Sequence, residues 1–157
     1  LDGTLPMPQS YATNDTIRKL VLFESGNLLC GLDIAHVQEI NKNIAVTIVH
    51  RAPESVRGVI NLRGEIVTIV DLRTKFGFEP LVQDDETQIV IVRQGDENIG
   101  LMVDSVSDVV IADEKNIEQP PSNLAGVTGR FFKGIYKLEH SLVAILNIDE
   151  LLARDYE

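Results

Sequence analysis

The sequence predicts an all-β chain, two β-rich barrels built by internal duplication, and three observations carry that prediction. Short runs rich in Val, Ile and Leu recur along nearly the whole chain, separated by turns that contain Gly. Runs at this spacing mark a barrel or sandwich. Residues 58–72 are echoed without a gap by residues 134–148, 76 positions on. A second echo, 69 positions on, sets residues 20–23, Gly26, Gly31, Ile34, Val37, Glu39 and Ile40 against residues 89–92, Gly95, Gly100, Val103, Val106, Asp108 and Val109. Apolar positions match wherever strands alternate. Glycines matched at three places are harder to dismiss, because Gly marks unusual backbone angles or close approach.

Taken in order, residues 1–16 hold Gly3, Pro6 and Pro8 among scattered polar residues and read as a flexible tail. Strands are expected at 20–23, 28–32, 44–49, 56–60, 65–72, 89–92, 99–103, 109–112, 131–138 and 141–148. Two segments break the pattern. Residues 33–40 place Ile34, Val37 and Ile40 at three-residue spacing behind a capping Asp33, which predicts a short helix. Asn147 followed by Glu150 resembles a helix start and predicts a closing helix over about 148–154. The acidic stretch 83–87 reads as the loop between halves, so the barrels are expected at about 17–80 and 87–148. The two offsets differ by seven, so the later copy carries an insertion, and it falls near 116–129 with Pro120 and Pro121.

A chain of 157 residues suits one domain or two small halves sharing an interface. Halves of about 70 residues would each bury only a modest core and should lean on each other. Residues 1–77 hold eight Lys/Arg and eight Asp/Glu, residues 78–157 six and sixteen, so the second part carries the whole formal charge of −10. Such a surface repels phosphate backbones and anionic lipid, which argues against nucleic-acid and membrane-surface partners. The lone Cys30, set among apolar neighbours, forms no internal disulfide and reads as a buried small hydrophobe. No apolar run has the length to cross a bilayer and no signal peptide opens the chain, so the expected location is the cytoplasm.

Chemistry is sparsely marked. His36, His50 and His140 make no metal spacing with Cys30, and no phosphate-cradling glycine motif or nucleophile elbow is present. Metal, cofactor and catalytic residues are therefore not implied. Asp71 and Asp104 are the candidates for a paired-carboxylate site, but the echoes match them with Asn147 and Ala35, so the repeat does not bring them together. Glu39 and Arg63 remain as a possible fork-like ion pair.

Residues 56–73, with Asn61-Leu62-Arg63-Gly64 and Val70-Asp71-Leu72-Arg73, and residues 99–109, with Val103-Asp104-Ser105-Val106-Ser107-Asp108, closely resemble the CheW family of chemotaxis coupling proteins. Residues 31–40 and 129–134 continue the match, which covers about 17–153. Two departures stand out: Asn41-Lys42-Asn43 replaces a common Arg-Gly-aromatic sequence, and Thr68 replaces a frequent proline.

The resemblance implies two SH3-like five-stranded barrels about a pseudo-twofold and a non-catalytic adaptor. It implies two partners, the tip of a methyl-accepting chemotaxis receptor and the regulatory domain of the histidine kinase CheA, with recruitment to receptor arrays at the inner membrane and no insertion into it. Carried over by motif, the receptor site comprises Glu39, Asn61 and Arg63. Gly58 and Gly100 are expected to keep a groove open, with Val37, Ile89 and Val109 as its apolar lining. The kinase is expected on Ile44, Val46 and Ile48. Alternatives are a module of a larger signalling protein such as CheV and, in a different class, a small-ligand-binding barrel.

Overall fold

The computed structural model describes residues 16–42 and 44–153. Nearly all of the predicted tail and the end of the predicted closing helix lie outside those residues. The strands run in chain order as β1 (Ile17–Ser25), β2 (Leu28–Asp33), β3 (Val37–Lys42), β4 (Val56–Leu62), β5 (Glu65–Asp71), β6 (Gln88–Gln94), β7 (Glu97–Val103) and β8 (Ser105–Asp113). Three two-residue strands follow, β9 (Ile117–Glu118), β10 (Asn123–Leu124) and β11 (Val127–Thr128), then β12 (Phe132–Lys137) and β13 (Leu142–Leu146). One-turn helices α1 (Leu72–Lys75) and α2 (Ile148–Leu151) follow β5 and β13. Their caps stand at equivalent positions, though the bonds reach different N–H groups: Asp71 Oδ1 accepts from the Arg73 N–H at 3.0 Å, and Asn147 Oδ1 from the Glu150 N–H at 3.2 Å.

Two local expectations are corrected. The helix over 33–40 shrinks to a single 3-10 turn, Ile34–His36, capped where Asp33 accepts the Ala35 N–H at 2.9 Å. From Val37 the chain pairs with β6, and ladder bonds along an edge outweigh a weak three-residue periodicity. Residues 44–49 do not form a strand either; Thr47 alone pairs with Val59, through two N–H···O bonds of 2.8 Å.

The larger correction concerns the halves. One sheet, called sheet I, has the order β8-β1-β2-β13-β12-β9, and sheet II has the order β3-β6-β7-β5-β4. Each takes strands from both predicted halves. Replacing the first five strands of sheet I by their echoes turns them, in order, into sheet II. The registers agree as well. Leu20 faces Asp33 as Ile89 faces Met102, and Ala144 runs beside Cys30 as Thr68 runs beside Ile99. A bulge lies at Val37 against β6 and at Val106 against β1. The repeats have thus exchanged their first two strands, and boundaries at 80 and 87 do not delimit the sheets.

Three apolar layers result. Ile60, Val67, Ile69, Ile89, Ile91 and Met102 fill the inside of sheet II; Leu20, Leu22, Ala112, Val143 and Ile145 fill sheet I. Between the sheets lies the largest layer, where Val21, Phe23, Cys30 and Leu32 meet Val90, Val92, Leu101 and Val103. Strands β1 and β6 are buried on both faces, which is why they read as continuous apolar runs rather than alternating ones. Cys30 is fully buried, and burial pushes its thiol pKa up, as suits an inert core residue.

Candidate functional site

The most distinctive surface feature grows from the β4–β5 hairpin. Leu62 faces Glu65, leaving Arg63 and Gly64 as a two-residue turn with φ of 52° and 87°. Both values are positive, as a type I′ turn requires. Asn61 explains how a non-glycine residue is held there: its Oδ1 accepts the Gly64 N–H at 2.9 Å. The turn aims the Arg63 guanidinium at Glu39 on β3. Nη2 donates to Oε2, and Nη1 donates to Oε1 at 3.4 Å. Strands β3 and β4 are the two ends of sheet II, so the pair bridges the seam of that barrel rather than reinforcing an existing ladder.

The Arg63 side chain is 73% exposed and that of Glu39 26%. Solvent screening makes such a pair a weak contributor to stability. Its hydrogen bond to Arg63 holds the Glu39 carboxyl below its usual range, and the same bond raises the Arg63 pKa.

The other residues expected at a receptor groove separate into two groups. Val37 is half-buried on β3 opposite Val92, and Val109 is half-exposed on β8 opposite Val21; both strands border the layer between the sheets. Gly58, Gly100 and Ile89 are interior. A Cβ on Gly58 would stand 2.1 Å from the Thr47 carbonyl oxygen, and one on Gly100 would stand 2.5 Å from Ile69 Cδ1 and 2.8 Å from Ile89 Cγ2. Ile89 is 3% exposed inside sheet II. The two glycines let chain segments approach closely, Ile89 fills the core beside Gly100, and all three are buried rather than exposed on a groove. Ile40 is a surface residue that lies within the matched stretch but is not among the residues expected at the receptor site. It is exposed on β3 at the position equivalent to Val109, so the echo that paired the two positions held the signal.

Of the residues expected to meet a kinase, Ile44 and Val46 turn inward onto the sheet II core, whereas Ile48 is 76% exposed beside the half-exposed Val49. Residues 44, 46 and 48 would share one face of a continuous strand, but pairing is limited to the Thr47–Val59 bridge, and Ile48 leaves the core beyond it.

Two further ionic contacts, at Asp71 and Asp104, are architectural. Asp71 is fully buried and accepts from Arg57 Nη1 and the Leu81 N–H, each at 2.9 Å, while Arg57 also donates to the Leu81 carbonyl. Asp104 accepts the Arg73 fork, Nε to Oδ1 at 2.9 Å, together with the Gly26 N–H at 3.1 Å. The two carboxylates are thus each committed to arginine and backbone donors. Among the described residues no three His, Cys, Asp or Glu side chains gather as a metal site would need, and no helix is long and apolar enough to cross a membrane.

Residues 19–155 match the sequence model of the CheW-like domain. The chemotaxis protein CheW of Klebsiella aerogenes is 32% identical over 138 residues, covering 88% of this chain and 83% of that protein. That of Helicobacter pylori is 30% identical over 143 residues, covering 91% and 86%. Among solved structures, the scaffolding protein TtCheW from Thermoanaerobacter tengcongensis superposes with a TM-score of 0.83 at 33% identity, covering 89% of this chain and 95% of that one.

Proposed function

The chain belongs to the CheW-like domain family of chemotaxis scaffold proteins, and from that premise we propose that it couples a methyl-accepting chemotaxis receptor to the regulatory domain of the histidine kinase CheA. The adaptor acts in the cytoplasm at receptor arrays and makes or breaks no covalent bond itself. One observation carries the reading. A strained, asparagine-braced turn presents Arg63 to solvent, held in place by Glu39, and the pair lies at a barrel seam beside the apolar edge of β3.

The receptor tip would lie along β3 and β8, against Val37, Ile40 and Val109, with Glu39 and Arg63 setting its register. Gly58, Gly100 and Ile89 would support this surface from within. The kinase would use Ile48 and Val49, which are exposed, with Ile44 and Val46 anchoring their segment to the barrel.

Calorimetric titration of the Arg63→Ala chain against the kinase regulatory domain and, separately, a receptor signalling tip tests the reading. The expected result is micromolar kinase binding that survives and receptor binding weakened at least about tenfold. Unaltered binding to both would remove Arg63 from the receptor site.

A further inference from the structure

Phe76, Phe131 and Phe132 form an aromatic cluster against the outer face of sheet I, with the Phe76 ring centroid 6.3 Å from that of Phe131 and 5.8 Å from that of Phe132. At the repeat offset of 76 their counterparts on sheet II are Leu152, Ser55 and Val56. Backbone geometry supports the pairing. Phe76 and Leu152 close α1 and α2 at equivalent positions. The Asn147 N–H donates to the Phe131 carbonyl at 2.8 Å, as the Asp71 N–H donates to that of Ser55 at 2.7 Å.

With the three rings replaced by smaller side chains, a cleft of about 720 Å³ opens over sheet II, its wall including Ser55, Val56 and Leu152 and its floor Val59, Thr68 and Ile99. The counterparts of those floor residues, Ile135, Ala144 and Cys30, are all buried. Among the described residues, one face of one fold is therefore packed with aromatic side chains in one repeat and open in the other.

We propose that this cleft is a docking site for an aromatic side chain carried on a segment of a partner protein, which would sit as Phe131 sits on sheet I. The molecule's own solution for the equivalent face indicates the occupant, since Phe131 and Phe132 are delivered there by a connecting segment that runs into a strand. A segment also suits the rim, where exposed Arg51, Glu54 and Glu97 offer both signs of charge to flanking residues. The cleft sets aliphatic Val56, Val59, Ile99 and Leu152 among Ser55, Thr68 and Thr74, a mixed lining that suits an amphipathic aromatic ring. An aromatic anchor within a polar rim is the usual arrangement of a binding hot spot. Neither the receptor nor the kinase assignment is needed for this docking.

The probe is a synthetic peptide with the sequence of residues 126–134, which supplies both phenylalanines, titrated into the full isotope-labelled chain and followed by amide chemical shifts. Expected are shifts at Ser55, Thr68, Ile99 and Leu152 with a dissociation constant on the order of 1 mM, lost when both peptide phenylalanines become alanine. Ser55→Phe provides the ring internally, so the peptide shifts should fall at least about tenfold while the thermal midpoint holds or rises. Thr68→Arg, placed on the cleft floor, gives the same loss of binding if Ser55→Phe does not fold. Shifts that persist in these variants, shifts confined to other surfaces, or no binding up to the solubility limit would overturn the proposal. So would a concentration-dependent dimer abolished by Ser55→Phe, because a second copy would then be the occupant.

Discussion

The β4–β5 and β12–β13 hairpins occupy equivalent places in the two sheets and carry the same bulge, at Gly58 in one and Gly134 in the other, yet their turns differ in chemistry. In the first, Asn61 braces a positive-φ Arg63 that reaches Glu39 across the seam. In the second, Leu138 donates to the Ser141 carbonyl at 2.8 Å around Glu139 and His140, and Asp108 stands where Glu39 stands. Both counterpart positions there are acidic. A barrel of this register evidently forms without the ion pair, so the pair is not what the fold needs. Arg63 and Glu39 are thus free to serve recognition, while the glycines of both hairpins serve folding.

The largest effect is expected from loading the shared bulge. Gly58→Ala should cost about 3 kcal/mol or more by urea denaturation, since its Cβ would meet a backbone oxygen at 2.1 Å and its φ is +151°. Gly134→Ala should cost less, because its Cβ would meet the Ile117 methyl at 2.5 Å and the Glu118 carbonyl oxygen only at 2.8 Å, and its φ is not in the left-handed range. Equal losses would mean that the two bulges are under the same constraint.

Next in size is the binding asymmetry. Receptor-tip affinity should fall at least about tenfold, about 1.4 kcal/mol, for Arg63→Ala and stay unchanged for Glu139→Ala, measured by calorimetry. A comparable loss in Glu139→Ala would remove the functional difference between the turns.

A smaller effect separates turn strain from the ion pair. Gly64 has φ +87°, and nothing stands within 4 Å of the place a Cβ would take, so Gly64→Ala should cost about 1 kcal/mol of stability through backbone conformation alone. Mutating His140, the equivalent residue of the second turn, to Ala should change little, because it does not have a positive φ.

The least effect concerns the pair itself. Because Arg63 lowers the Glu39 pKa, any stability from the pair is present above the ordinary carboxylate range and is lost as pH falls through the lowered folded-state value. The thermal midpoints of the natural chain and Arg63→Ala should therefore draw together as pH falls through the ordinary carboxylate range and meet below the lowered folded-state value. A gap that persists at low pH would assign the difference to packing or turn geometry.

Much of this architecture is legible in the chain alone. The echoes locate the strands and match the paired glycines, and Asp33 and Asn147 are recognisable as caps because their side chains bond to nearby N–H groups along the chain. The Asn-Leu-Arg-Gly turn is legible for the same reason, since Asn61 and Gly64 bond within the turn itself. The groove assignment is less so. Gly58, Gly100 and Ile89 sit in strands whose patterns are the same whether they face a partner or a barrel interior, and only burial separates the two.

Amino-acid order thus carries what short-range physics controls: the duplicated strand pattern, the caps, the positive-φ turn and the uneven charge. Folding in three dimensions adds the exchange of β1 and β2 with β6 and β7 between sheets, the seam that brings Glu39 to Arg63, and the open face beside Ser55. Periodicity tells a strand which of its faces is apolar, but hydrogen bonds between strands are alike along every edge. The choice of neighbour is settled by how all three apolar layers close at once.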